Sequence, residues 1–210
     1  LGLKLGVEKM RKIASLLKLD DRTGIDLPGE VKGIFPSPSW KLEKYGESWY
    51  PGDTILLSIG QGYILLTPME MLNFISFIAN RGKVFKPHVV KKVGEKLIKP
   101  TIFLNVNIRK DIWDYLIKSL EDVTSFSDTD NEDIGTAYIA FKDCSYPVAG
   151  KTGTAEIGQD KPHSWFIGFS PIKDPEVAIV VLIEKGGYGS EIAAPIARQI
   201  LDMYFKLKSR

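Results

Sequence analysis

A single cysteine, Cys144, stands among 210 residues, so no internal disulfide can form and the redox compartment stays open. Histidine is nearly as scarce. Neither His88 nor His163 has a second ligand type at metal spacing, so no metal site is legible. No apolar run approaches the length of a membrane span, and the opening LGLKLGVEKM lacks the layout of a signal peptide. An anchor or export signal in a longer parent would lie outside this chain. Neither sign of charge is in excess: 28 Lys and Arg oppose 26 Asp and Glu. That balance gives no reason to expect nucleic acid as a partner, and the basic run Lys86–Lys99 reads as a solvated ribbon. Internal repeats are absent as well. What remains is an ordinary globular composition, long enough for one domain with a sizeable core or two small ones.

The hydrophobic pattern supplies the elements. Val7, Met10, Ile13, Ala14 and Leu17 recur at helical spacing. The turn-rich strings TGIDLPGE (23–30) and FPSPSWK (35–41) predict an ordered loop, and residues 54–59 read as extended, ending at Gly60-Gln61-Gly62. Thr67-Pro68 opens a helix over 69–80 that stops at Arg81-Gly82. Residues 84–93 read as a strand, 109–122 as an amphipathic helix, and the acidic 121–135 as a loop without order. Three strands follow, 146–157, 164–170 and 177–184, and then a closing helix over 192–205. The six residues between the last two strands allow a hairpin but no crossover helix. Helices first and an antiparallel meander later predict an α+β fold, with an antiparallel sheet flanked by helices.

Within the first of those strands, PVAGKTGTAEIG (147–158) places a lysine and two of its glycines, Gly150 and Gly153, where side chains should pack. Two chemistries favour such a string. A phosphate-cradling P-loop needs a glycine at position 145, which is Ser145, and a helix after Thr152, where strands follow. The alternative is a peptide site at a sheet edge. Lys151 would set a positive charge beside a cleft, attracting a carboxylate and favouring deprotonation of a nearby nucleophile. Thr152 and Thr154 would offer hydroxyls to that carboxylate, Gly153 would let a substrate backbone lie close, and the Thr154 N–H would help hold an oxyanion.

Lys-Thr-Gly is the third signature of penicillin-binding proteins and serine β-lactamases. Around it, TGIDLPGE, PSPSWK (36–41), WYPGDTILLSIGQGYILLTPMEM (49–71), PVAGKTGTAE (147–156) and HSWFIGFSP (163–171) follow in order. Together they resemble the class B penicillin-binding transpeptidases of the elongation type, over nearly the whole chain but thinly between 94 and 134. The resemblance implies the penicillin-binding transpeptidase or serine β-lactamase-like fold. It implies a serine DD-transpeptidase of peptidoglycan synthesis, which cross-links D-Ala-D-Ala stem peptides, maintains cell shape and is a target of β-lactam antibiotics. By the same resemblance the parent is anchored in the cytoplasmic membrane with this domain facing the periplasm or exterior. It would work beside a glycan polymerase of the elongation machinery, with no cofactor. Lys151 and Thr154 would be catalytic residues, and Thr152, Gly153 and Thr154 substrate-binding ones. A β-lactamase or carboxypeptidase on the same fold, or a non-catalytic β-lactam sensor or scaffold, are the alternatives.

The family also needs S-x-x-K, which bears the nucleophile, and S-x-N. No S-x-N occurs. Only four residues separate Lys18 of the S-x-x-K at Ser15–Lys18 from Thr23, whereas the family places its nucleophile far upstream of that block. Residues 1–210 therefore read as the C-terminal part of one transpeptidase domain, with helices and loops to 145 and three strands and a helix from 146. Alone it is expected to be inactive, and to pair with the missing N-terminal half or to associate through an open strand edge. His163, Cys144, Gly60, Gly62, Trp40, Trp49 and Trp113 read as structural.

Overall fold

Three prolines, Pro38, Pro51 and Pro68, stand where a helix begins, since proline's fixed φ and missing N–H suit a first turn. A computed structural model describes residues 1–126 and 134–208. They fall into two units, residues 1–74 with 85–104, and residues 75–84 with 105–210. The first unit holds α1 (Gly2–Leu5), α2 (Val7–Leu16), α3 (Pro38–Tyr45), α4 (Pro51–Ser58) and the first part of α5 (Pro68–Ala79). Short strands follow along the chain, β1 (Lys83–Phe85), of which Phe85 belongs to this unit, β2 (Lys92–Val93), β3 (Lys96–Leu97) and β4 (Ile102–Asn105), of which all but Asn105 does, with β2 and β3 forming a hairpin. The single strand expected over 84–93 is thus only its two ends.

Two further expectations fail in this unit. Residues 38–41 belong to a helix, because the Ser37 hydroxyl caps the Trp40 N–H at 3.1 Å. Residues 54–58 are helical and not extended. Asp53, at the third position of α4, accepts the Tyr50 N–H at 2.8 Å, and Thr54 and Leu57 turn inward one helical turn apart. Leu57 packs with Ala14 and Phe35, and half-buried Trp49 donates its indole N–H to Thr54 at 2.8 Å. The TGIDLPGE loop closes on Glu30, whose carboxylate accepts the N–H groups of Thr23 and Gly24 and the Thr23 hydroxyl. Burial works to raise the Glu30 pKa, but these donors outweigh it and hold it below the ordinary value.

Asp53 also receives the buried Lys41 ammonium at 2.8 Å, which lies over the rings of Tyr50 and Tyr63. Burial acts to raise the Asp53 pKa, and the Lys41 and Tyr50 hydrogen bonds overcome it, so the carboxyl titrates below its ordinary value. A depressed acid stabilises the fold above the unfolded pKa, about 4, and that contribution is lost as pH falls through the folded value. Asp53→Asn is therefore expected to lower the urea midpoint at pH 7. Its gap from the unsubstituted protein should narrow as pH is lowered below about 4. A gap that stays constant down the titration would contradict the pairing.

The second unit is built on a sheet in the order β5 (Ala149–Ile157), β6 (Asp160–Ser170), β7 (Val177–Ile183). Both pairings are antiparallel, with Gly153 opposite Trp165 and Trp165 opposite Leu182. α6 (Lys110–Ser125) precedes the sheet, extending past the expected end at 122; residues 127–133 of the expected loop lie outside the described residues. α7 (Tyr138–Phe141), which the pattern did not suggest, and α8 (Ala193–Lys208) pack their Phe141, Ala193, Ala194, Ala197 and Leu201 on Phe166, Ile179 and Val181. β5 starts at Ala149 and not at Tyr146. That tyrosine stacks on Phe205 at 4.3 Å, and its hydroxyl donates to Asp202 at 2.6 Å.

The first glycine of the Gly-Lys-Thr-Gly string has a packing reason. A Cβ at Gly150 would lie 2.5 Å from the Phe166 ring, and one at Gly168, its cross-strand partner, 2.8 Å from it. The ring lies across both glycines. β5 and β7 each have one neighbour among the described residues, so Lys151 stands on an edge strand of this sheet.

Candidate active site

Strand alternation divides the candidate residues between two faces. Lys151 and Gly153 share one face with Ile167 and Trp165; Thr152 and Thr154 share the other with Phe166 and Ser164. The lysine does not stay on its face. Its Nζ curls back to donate to the Thr152 carbonyl at 2.7 Å, which brings the ammonium to the strand backbone. Although its side chain is exposed, neighbouring protein strips part of its water and lowers its pKa. A carboxylate arriving beside it would favour the charged form again.

The hydroxyls are held from outside the strand. Thr152 Oγ1 lies 2.7 Å from Thr136 Oγ1, and Thr154 Oγ1 accepts the Gly189 N–H at 3.4 Å. Gly189 belongs to the loop after β7, which is laid against the lysine strand. A Cβ at Gly189 would sit 2.4 Å from the Gly153 carbonyl and 2.5 Å from that of Trp165. A Cβ at Gly153 would be 3.1 Å from that of Trp165, closer than ordinary van der Waals contact. Buried Ser164 fixes the same loop, donating to the Tyr188 carbonyl at 3.1 Å and accepting the Ala193 N–H at 3.0 Å. His163 Nδ1 accepts the Lys185 N–H at 3.0 Å, the structural hydrogen bond expected of it. Tyr188, at the tip, is 60% exposed. Sequence reasoning missed this loop and Thr136. The string KGGYGS (185–190), directly after an apolar strand, was the available signal.

The remaining candidates stay structural. Ser15 is exposed on α2, while Lys18 lies past the helix end with its ammonium 4.4 Å from the Phe103 ring centre. A second S-x-x-K, Ser170–Lys173, escaped the sequence reading. Ser170 is fully buried and donates to the Pro147 carbonyl at 2.8 Å, so it is no exposed nucleophile. Gly60 and Gly62 take positive φ in the turn after α4. Trp40 packs edge-on to Tyr45 and Tyr63, and Trp113 to Phe77. Cys144 borders a cavity of about 300 Å³ that none of residues 151–154 lines. β5 continues through Ile157, so no helix follows Thr152 as a P-loop requires. Among the described residues no cluster of His, Cys, Asp or Glu could hold a metal, and no helix is long and apolar enough to cross a membrane.

The family pattern described as the penicillin binding protein transpeptidase domain matches residues 1–202. The chain belongs to that family. The transpeptidase MrdA of Haemophilus influenzae, named a peptidoglycan D,D-transpeptidase, is 31% identical over 202 residues, covering 87% of this chain and 30% of its own length. The D,D-transpeptidase PbpA of Mycolicibacterium smegmatis is 30% identical over 208 residues, 94% of this chain and 39% of its own. Among solved transpeptidases, PBP2 of Pseudomonas aeruginosa in complex with WCK 5153 superposes with a TM-score of 0.84 at 30% identity. That match covers 97% of this chain and 43% of the other. PBP2 of Helicobacter pylori in complex with MreC gives 0.84 at 29% identity, over 100% of this chain and 38% of the other. The fold is that of the PBP2 transpeptidase, with mixed helices and antiparallel sheet as the sequence predicts. The chain spans 30–39% of the length of these two curated relatives.

Proposed function

We propose that this chain is the C-terminal part of a peptidoglycan DD-transpeptidase domain and carries its carboxylate-binding strand. In the parent, a serine supplied by the preceding part of the domain attacks the penultimate D-alanine carbonyl of a stem peptide and forms an acyl-enzyme. The terminal D-alanine leaves, and an amine of a neighbouring strand takes the acyl group. Lys151 supplies positive charge beside the nucleophile. Thr152 and Thr154 bind the terminal carboxylate, and the Thr154 N–H helps hold the oxyanion. Gly153 keeps the strand free of a side chain at that point, and the Gly189 loop forms the flank of the site. β-Lactams are taken as mimics of the same peptide end.

The observation that carries this reading is Lys-Thr-Gly-Thr displayed on an edge strand, its lysine turned back to the strand backbone, in a chain of the transpeptidase family. The parent is proposed to sit in the cytoplasmic membrane with this domain outside. It would act within an elongation complex containing a glycan polymerase, in keeping with relatives solved with MreC and within a peptidoglycan synthase complex.

Labelling with a fluorescent penicillin tests the proposal. The full-length parent is expected to form a covalent adduct, Ser15→Ala should form it equally, and the isolated chain should form none. An adduct on this chain alone, or loss of the adduct in Ser15→Ala, would reverse the assignment of the nucleophile.

A further inference from the structure

We propose that Thr136 is a positioning residue of this site, one that aims the Thr152 hydroxyl at the ligand's carboxylate. The inference rests on the carboxylate-binding reading of Thr152 and adds a residue outside the strand. The two hydroxyl oxygens are 2.7 Å apart, the ordinary length of an O–H···O hydrogen bond. They come from segments 16 residues apart in sequence, so their meeting is a product of the fold.

Thr136 is not placed there by a mobile loop. On one side, the Gly135 N–H donates to the Phe126 carbonyl at 2.9 Å; on the other, the Ala137 N–H donates to the Val123 carbonyl at 2.9 Å. Ala137 is 1% exposed, in the cluster with Phe141 and Phe166. Gly135 is pressed so closely on the end of α6 that a Cβ would lie 2.2 Å from the Asp122 carbonyl and 2.5 Å from that of Val123. The last carbonyls of a helix need partners, and this segment meets that need while fixing the threonine between two anchors. Thr136 itself is exposed and Thr152 half-buried, so the pair faces a region that a ligand can reach.

The chemistry follows from counting hydrogens. Two hydroxyls in one hydrogen bond use one hydrogen between them. A carboxylate can only accept, so the hydroxyl that serves it must keep its hydrogen for it. When Thr136 donates to Thr152, the Thr152 hydrogen is directed to the ligand, and the chain Thr136 to Thr152 to carboxylate is polarised along its length. With no ligand present, either oxygen can be the donor; binding a carboxylate selects one order.

The experiment uses the full-length transpeptidase and compares acylation by benzylpenicillin with acylation by its methyl ester, in Thr136→Val, Thr136→Ser and Thr152→Val. Thr136→Val is expected to lower the acid-to-ester ratio of acylation rates by about threefold to tenfold, the worth of one hydrogen bond between neutral groups. Thr136→Ser should restore the ratio. An equal fall for acid and ester, or none for either, overturns the proposal, because a residue that only supports the backbone would not distinguish the two probes. Thr152→Val separates the layers. If it lowers the ratio while Thr136→Val does not, only the positioning role falls; if Thr152→Val leaves the ratio unchanged, the carboxylate reading falls and takes this inference with it.

Discussion

Lys151→Ala in the full-length parent is expected to lower the second-order rate of acylation by a penicillin by about 100-fold or more, the usual result of deleting one electrostatic stabiliser from a preorganised site. Stability should change by no more than about 0.5 kcal/mol, since the side chain is exposed and its hydrogen bond goes to the carbonyl of the next residue. The separation matters, because a lysine that merely supported the strand would move both quantities together. A pH profile adds an independent reading. Partial loss of water lowers the Lys151 pKa, so the cation is lost at a lower pH than for an ordinary lysine, about 10.4. Acylation should therefore decline on the alkaline side before that value is reached, and Lys151→Arg, which stays charged, should move the decline upward. Stopped-flow acylation across the alkaline range measures both. An unchanged rate in Lys151→Ala would remove the strand from the proposed chemistry.

The legible parts of the fold were those set by local signals. The helix after Thr67-Pro68, the three strands and the closing helix each carry their own periodicity and punctuation, and the structure keeps them within a few residues. Residues 54–58 were misread because Thr-Ile-Leu-Leu-Ser taken alone has no helical stripe. Its start signal is Tyr50-Pro51-Gly-Asp53 just before it, and the carboxylate that caps it is held by Lys41 from another helix. The site divides in the same way. Lys151 and the threonines are visible in a tetrapeptide, whereas Thr136 and Gly189 join them only through the end of α6 and the loop after β7. No spacing rule connects position 136 with 152, and the tie between Gly189 and Gly153 is a backbone contact without side-chain identity to read. Gly153 shows the same limit. Its absence of a side chain reads as room for a substrate, while the structure shows that the neighbour a Cβ there would meet is Trp165, at 3.1 Å.

The deepest support of that strand is Phe166, and Phe166→Ala is expected to cost about 3–5 kcal/mol, close to the largest effect a single core truncation produces. The ring is wholly buried, stacks on Phe141 with centroids 5.3 Å apart, and covers Gly150 and Gly168 on adjoining strands. Removing it opens a void bordered by two residues with no side chains to turn into the space, so collapse recovers little. The two sites should also be coupled. Gly150→Ala alone overlaps the ring, with its Cβ 2.5 Å from Phe166 and 2.8 Å from the Ile167 carbonyl, and should destabilise. In a Phe166→Ala background the first of those overlaps is gone and the added methyl fills part of the void, so the pair should cost less than the sum of its members. Urea unfolding of the two single variants and the double variant measures that difference. Strict additivity would mean that the ring and the glycine are independent. In that case the glycine preceding Lys151 would need a reason other than the aromatic laid across it.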